Sequence, residues 1–142
     1  MKHGSMWRWI LVIVVVLLAG CRQTAELGET SWELVAYGPA NAPLAAEAPA
    51  SISFEDNGRM DGSTGCNSFF GNYEAEDDRL TLRDGELGFT LQDCGLVSPE
   101  GKQDAFFREW LVIGAEYTQT AERLVLLFDD GRQLAEYRLR DE

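Results

Sequence analysis

The chain has 142 residues, with 24 acids against 12 lysines and arginines, a formal charge of −12, and a single histidine, His3. One domain is expected at this length, and 45% apolar with 11% aromatic residues is the composition of a packed core, not of a disordered chain. Nucleic acid is excluded as a partner, because affinity for phosphate backbones comes largely from lysine and arginine displacing counterions.

Lys2 and Arg8 precede an apolar run from Trp9 to Leu18, which ends in Ala19-Gly20-Cys21 and gives way to Arg22-Gln23-Thr24. A spanning helix needs about 20 apolar residues, and this run stops at roughly half to two-thirds of that. It has the length and flanks of an export signal. Leu18-Ala19-Gly20-Cys21 resembles the bacterial lipobox, in which the peptidase cuts before the cysteine and the cysteine carries the lipid. The expectation is a signal peptide over residues 1–20, lipidation at Cys21, a tether over 21–30 and a domain over 31–142. An ordinary signal peptide or an uncleaved anchor is the alternative. At ~0.8 kcal/mol per buried methylene, two or three acyl chains hold a domain on a membrane that it does not cross. By resemblance to enterobacterial sorting rules, Arg22 favours the outer membrane, facing the periplasm.

Removal of residues 1–20 leaves ten basic residues against 24 acids, a charge of −14, and no histidine. Ser-His-Asp and Cys-His systems need a base that titrates near neutrality, and histidine-ligated zinc needs imidazole. No catalytic residue, cofactor or metal is therefore expected.

The elements follow mostly a period of two. Ser31 to Tyr37 reads as a strand with Trp32, Leu34 and Ala36 on one face. Gly38 to Pro49 holds Pro39, Pro43 and Pro49 and reads as a loop. Ala50–Glu55 and Arg59–Ser63 flank Asp56-Asn57-Gly58, a turn that closes a hairpin. Strands over Phe69–Ala75, Leu80–Arg83 and Gly88–Leu91 are divided by turns at Glu76-Asp77-Asp78 and Asp84-Gly85. A last hairpin joins Arg123–Phe128 to Gln133–Leu139 through Asp129-Asp130-Gly131. One helix interrupts the strands over about residues 99–113: Ser98 is its N-cap, Pro99 and Glu100 suit its first turn, and Gly114 closes it. Phe106, Phe107, Trp110 and Leu111 make an apolar stripe that reads as core.

The segment Gly62-Ser63-Thr64-Gly65-Cys66-Asn67-Ser68-Phe69-Phe70-Gly71-Asn72-Tyr73 resembles the core motif of the META domain, the family of the heat-shock protein HslJ. Trp32 and Leu34 in the opening strand, Thr90 four residues before Cys94, the Phe-containing helix and the closing Leu124-x-Leu126 hairpin agree with it. The chain departs from the family at Leu91-Gln92-Asp93, where small or apolar residues are usual, and at Gln103, where glutamate is frequent. The resemblance implies a mainly β, α+β fold: a single antiparallel, curved or cracked β-barrel-like domain with one helix packed against it. It also implies a non-enzymatic protein linked to envelope stress and drug tolerance, similar in fold to secretin-pilot lipoproteins that hold a hydrophobic segment.

Read from the residues alone, Gly62, Gly65 and Gly71 suit bends in a curling sheet, and Asn67 suits bridging of backbone groups there. Cys66 and Cys94 remain once Cys21 is lipidated, and an exported chain meets an oxidising compartment, so a disulfide is expected, with buried free thiols as the alternative. Glu74–Asp78 and Asp129-Asp130 lack the alternating register of a calcium loop and read as solvated turns. Two functions stand. One is a monomeric envelope lipoprotein, anchored to the membrane through Cys21, that binds an envelope protein segment or a hydrophobic ligand. The other is an acidic periplasmic inhibitor of a basic hydrolase such as lysozyme.

Overall fold

The computed structural model describes residues 26–141, so the expected signal peptide over 1–20 and the expected lipidation site Cys21 lie outside the described residues. Nine strands form in chain order: β1 (Thr30–Pro39), β2 (Leu44–Ala45), β3 (Ser51–Phe54), β4 (Arg59–Ser63), β5 (Ser68–Glu76), β6 (Arg79–Phe89), β7 (Ala115–Gln119), β8 (Arg123–Phe128) and β9 (Gln133–Leu139). Helix α1 (Pro99–Trp110) and a 3-10 turn over Leu111–Ile113 lie between β6 and β7. Every ladder is antiparallel, and pairing of β1 with β9 along Trp32–Pro39 closes eight strands into a ring, with β2 a short addition to β1. A curved or cracked barrel-like domain with one helix was expected, and the sheet closes into a complete ring. Its weakest seam is β6 against β7, joined at Arg79 and Leu80 alone.

Eight strands leave an interior just wide enough for side chains to fill. Trp32, Ile52, Phe54, Met60, Phe69, Leu80, Leu124, Leu126, Phe128 and Tyr137 fill it, all essentially inaccessible to water. Alternation along β1 carries Trp32 and Leu34 inward, but a bulge between Leu34 and Ala36 shifts the phase by one residue. Tyr37 enters the core in place of Ala36, which corrects the inward face expected from a strict period of two. Two further boundaries are corrected. Asp84-Gly85 does not reverse the chain: both halves of β6 pair with β5, and Arg83–Glu86 form an outward excursion within one strand. The proline-rich stretch is not all loop, because Leu44 and Ala45 pair with Tyr37 and Ala36 between the prolines, where no ladder donor is missing. Strand β7 has no counterpart among the expected elements.

Antiparallel register sorts the turns to two ends of the barrel. Residues 26–29, the β3–β4 turn at Asp56–Gly58, the β5–β6 turn at Asp77-Asp78 and the β7–β8 turn share one end. The β4–β5 turn at Thr64–Asn67, the segment 90–98 and the β8–β9 turn share the other. Helix α1 closes the second end. Ser98 caps it, its hydroxyl oxygen accepting the Gly101 N–H at 3.0 Å; Phe106, Phe107 and Leu111 are buried, with Phe106 edge-on to Tyr37, Phe107 and Phe128. Trp110 packs only partly against this core. The α-helix stops at Trp110, and Gly114, at φ +83°, ends the 3-10 turn that prolongs it. At the first end Leu27 is 3% exposed and the Thr30 hydroxyl donates to the Leu27 carbonyl, so packing begins ahead of Ser31, within the stretch expected as tether.

Candidate functional site

The helix end gathers most of the motif residues. Asn67 sits buried in the β4–β5 turn with its side-chain amide fully engaged: Oδ1 accepts from the Gln92 N–H (2.7 Å) and the Thr90 hydroxyl (2.9 Å), and Nδ2 donates to the Gln92 carbonyl (2.9 Å) and Asp104 Oδ1 (3.2 Å). Thr64 holds the turn from inside. Its hydroxyl accepts the N–H of Asn67 (2.9 Å) and of Cys66 (3.2 Å) and donates to Asp104 Oδ1 at 2.7 Å. Asp104 in turn binds Arg108 at 2.7 Å, one helical turn on, and Arg108 donates to the Thr90 carbonyl and lies 4.4 Å above the Phe89 ring. Burial pushes the Asp104 carboxyl up, but the hydrogen bonds from Arg108, Thr64 and Asn67, with the Arg108 charge, outweigh it, and the group ionises below the ordinary carboxylate range. Cys66 and Cys94 form a disulfide across this network, which settles the choice between disulfide and free thiols.

Gln103 lies beside it, fully buried. Its Oε1 accepts the N–H of Glu47 and Ala48, both at 3.1 Å, and its Nε2 donates to the carbonyls of Ala48 and Thr64, both at 3.0 Å. A side chain that donates two bonds and accepts two satisfies all four backbone groups. Gly65 makes room for it: at φ +99°, a Cβ there would stand 2.8 Å from Gln103 Nε2. Thr64, Asp104 and Arg108 were not singled out from sequence. The i, i+4 acid-to-base spacing of Asp104 and Arg108 was the available signal.

The remaining motif residues are elsewhere. Gly62 pairs with Ile52 and Phe69, whose ring passes over its Cα, and Gly71 pairs with Met60 against the Leu87 side chain. Tyr73 points to the opposite end, its ring edge-on to Phe54 and its hydroxyl donating to the Glu55 carbonyl at 2.8 Å. There a groove of about 1220 Å³ opens between residues 26–29, the β3–β4 turn, the β5–β6 turn and β7. Tyr73 and Tyr117 line it, with Glu26, Glu29, Asp56, Glu76, Asp77 and Asp78 around them. Arg83, the one base in its lining among the described residues, is paired with Glu74 at 3.3 Å. Burial raises both tyrosine hydroxyls above their ordinary value, and Asp56 beside Tyr73 and Asp78 beside Tyr117 add to it. Among the described residues, no three acids, cysteines or histidines are placed to hold a metal ion. A second groove, about 480 Å³, runs between α1 and the β1–β2 corner, lined by Tyr37, Leu44, Phe106 and Trp110.

A closed eight-stranded antiparallel barrel, stoppered at one end by a helix and bearing an acid-lined groove at the other, defines a class of small β-barrel domains. The META domain matches residues 25–141, and the chain belongs to that family. Solved structures agree in fold. An NMR structure of a protein from Burkholderia xenovorans is similar at 23% identity and a TM-score of 0.65, covering 82% of this chain and 85% of that one. A second NMR structure is 25% identical with a TM-score of 0.61, covering 80% and 91%. A crystal structure of a DUF4847 family protein from Bacteroides vulgatus is 12% identical with a TM-score of 0.56, covering 82% and 96%. No curated protein matches the chain.

Proposed function

We propose that this META-domain protein is a non-catalytic lipoprotein of the bacterial envelope, acylated at Cys21 and held as a monomer on the outer membrane, that binds a segment of an envelope protein. The acid-lined groove supports the reading and narrows the segment to a basic one. Among the described residues six carboxylates face a single arginine that Glu74 already neutralises, so the field in the groove favours a cationic chain. The interior is packed with side chains and α1 stoppers the other end, which leaves the groove as the larger recess. A hydrophobic ligand, the other occupant considered, fits the groove beside Trp110 better than it fits the barrel.

Two measurements test it. Intact mass of the membrane-extracted protein should show residues 1–20 removed and Cys21 acylated. An unmodified N-terminus or a retained leader overturns the anchor. Titration with oligolysine and with oligoglutamate at low and moderate salt should show binding of the first alone, weakened by salt. Equal affinity for both peptides overturns the basic-segment reading.

The same groove favours a second reading, inhibition of a basic hydrolase such as lysozyme, whose cationic surface would be steered onto it. Undiminished lysis by lysozyme mixed with the protein at both salt concentrations removes this reading and leaves the first standing.

A further inference from the structure

We propose that the Cys66–Cys94 disulfide is a redox-sensitive clasp on a single surface segment, Asp93–Val97, whose reduction frees that segment and leaves the barrel, the helix and the Asn67 network in place.

The segment is bounded on each side by anchors that need no sulfur. Before it, the Thr90 N–H donates to the Ser68 carbonyl at 3.0 Å, Arg108 holds the Thr90 carbonyl at 2.8 Å, and the Asn67 amide holds both backbone groups of Gln92. After it, Ser98 caps α1 through Gly101, and its carbonyl accepts the Lys102 N–H at 3.0 Å. Between Gln92 and Ser98 the ties are few. Asp93 Oδ1 accepts the Gly95 N–H at 2.9 Å, the Ser98 hydroxyl donates to the Cys94 carbonyl, and the Gly95 carbonyl rests on the bare Cα of Gly101. Burial adds nothing at the tip, because Leu96 is 86% exposed and Val97 85%. Beyond those ties, the disulfide is the covalent hold on a segment that carries two water-exposed apolar side chains.

The two sulfurs are not equivalent. Cys94 stands among exposed neighbours, whereas Cys66 is followed by the buried Asn67, whose Nδ2 lies 3.4 Å from Cys66 Sγ. The thiolate of a dithiol reductant therefore attacks Cys94 Sγ. The S–S bond breaks, and its electron pair leaves with Cys66 as a thiolate that takes a proton from solvent. The second thiol of the reductant then attacks its own sulfur in the mixed disulfide. Cys94 is released as a thiol and the reductant departs as a disulfide, two electrons having passed to the protein.

Backbone ¹⁵N relaxation on the purified protein, oxidised and after dithiothreitol, tests the clasp. In the oxidised form residues 94–97 should keep the order of the strands, at S² of about 0.85, and fall below about 0.6 on reduction, with Gln92, Asn67 and α1 unchanged. Unchanged order at 94–97, or loss of order across α1 and β6, overturns the proposal. The direction of attack is read with glutathione, which as a monothiol stops at the mixed disulfide. After alkylation and peptide mapping the adduct should be several-fold more abundant on Cys94, and an equal or reversed ratio overturns the assignment.

Discussion

Asn67 takes the place of a strand for Gln92: its Oδ1 accepts the Gln92 N–H at 2.7 Å while its Nδ2 donates to the Gln92 carbonyl at 2.9 Å. One side chain thereby satisfies a backbone donor and a backbone acceptor that β6, ending at Phe89, no longer pairs. The Gly-Cys-Asn motif is in this sense structural. It ties the end of β6, the β4–β5 turn and the helix to one another, and the disulfide lies over the same tie.

Replacing Asn67 should therefore cost more than its exposed neighbours suggest. Asn67→Ala strands both Gln92 groups and removes a donor from Asp104, for a loss of about 2–4 kcal/mol. Urea unfolding with the disulfide intact should show it as a lower midpoint at an unchanged slope. Asn67→Asp should be no better, since it sets a second carboxylate near Asp104 Oδ1 and the Gln92 carbonyl.

Gln103 is the place where the chain departs from the family's frequent glutamate, and the structure supplies a reason for the amide. Glutamine donates to two carbonyls, while an ionised glutamate would turn an oxygen toward both. Gln103→Glu and Gln103→Leu are each expected to destabilise by about 3 kcal/mol or more at neutral pH, because buried backbone groups lose their partners. Thermal unfolding of both variants checks this, and Gln103→Leu remaining at the wild-type midpoint would contradict it.

Asp104 makes stability depend on acid. Its carboxyl ionises at lower pH in the folded chain than in the unfolded one, so the unfolded state binds the proton first. The stabilisation is present above the unfolded value, near 4, and is lost as pH falls through the lower folded value. Asp104→Asn should lower the urea midpoint at pH 7 and narrow the gap to wild type by pH 2–3. A gap that stays constant over that range would remove the linkage.

Tyr137 offers the opposite sign. Its side chain is buried in the barrel, and its hydroxyl meets no hydrogen-bonding partner among the described residues. Burial raises its ionisation well above the ordinary tyrosine value, so the phenol stays neutral in the folded state. Tyr137→Phe keeps the ring contacts and removes an unsatisfied polar group, and should be neutral or stabilising by up to about 1 kcal/mol. A measured loss above that range would mean that the hydroxyl is engaged.

Local chemistry written along the chain was readable without coordinates. Alternation identified most strands, Asp56-Asn57-Gly58 and Asp129-Asp130-Gly131 marked two turns, and Ser98-Pro99 marked the helix start, because each depends on neighbours within a few positions. The spacing around Gly65, Cys66 and Asn67 was enough to point to the META family, and the chain's place in it is borne out by the match over residues 25–141. Where the phase breaks, pattern was silent. The bulge that admits Tyr37 in place of Ala36, and the excursion that keeps Arg83–Glu86 inside β6, are set by what the partner strands require. Strand β7 likewise owes its place to β8, which pairs along its length.

The two candidate surfaces were beyond reach for the same reason. Asn67 meets Gln92 across 25 positions, Gln103 meets Ala48 across 55, and the acidic groove joins Glu26 to Gln119 across 93. From sequence, Glu26 and Glu29 read as tether, Asp56 as part of a hairpin turn and Glu74–Asp78 as a solvated turn. Barrel closure alone decides which turns share an end, since antiparallel register fixes where every strand starts and stops. It thereby separates an acid-lined groove from the helix-stoppered end where the disulfide lies.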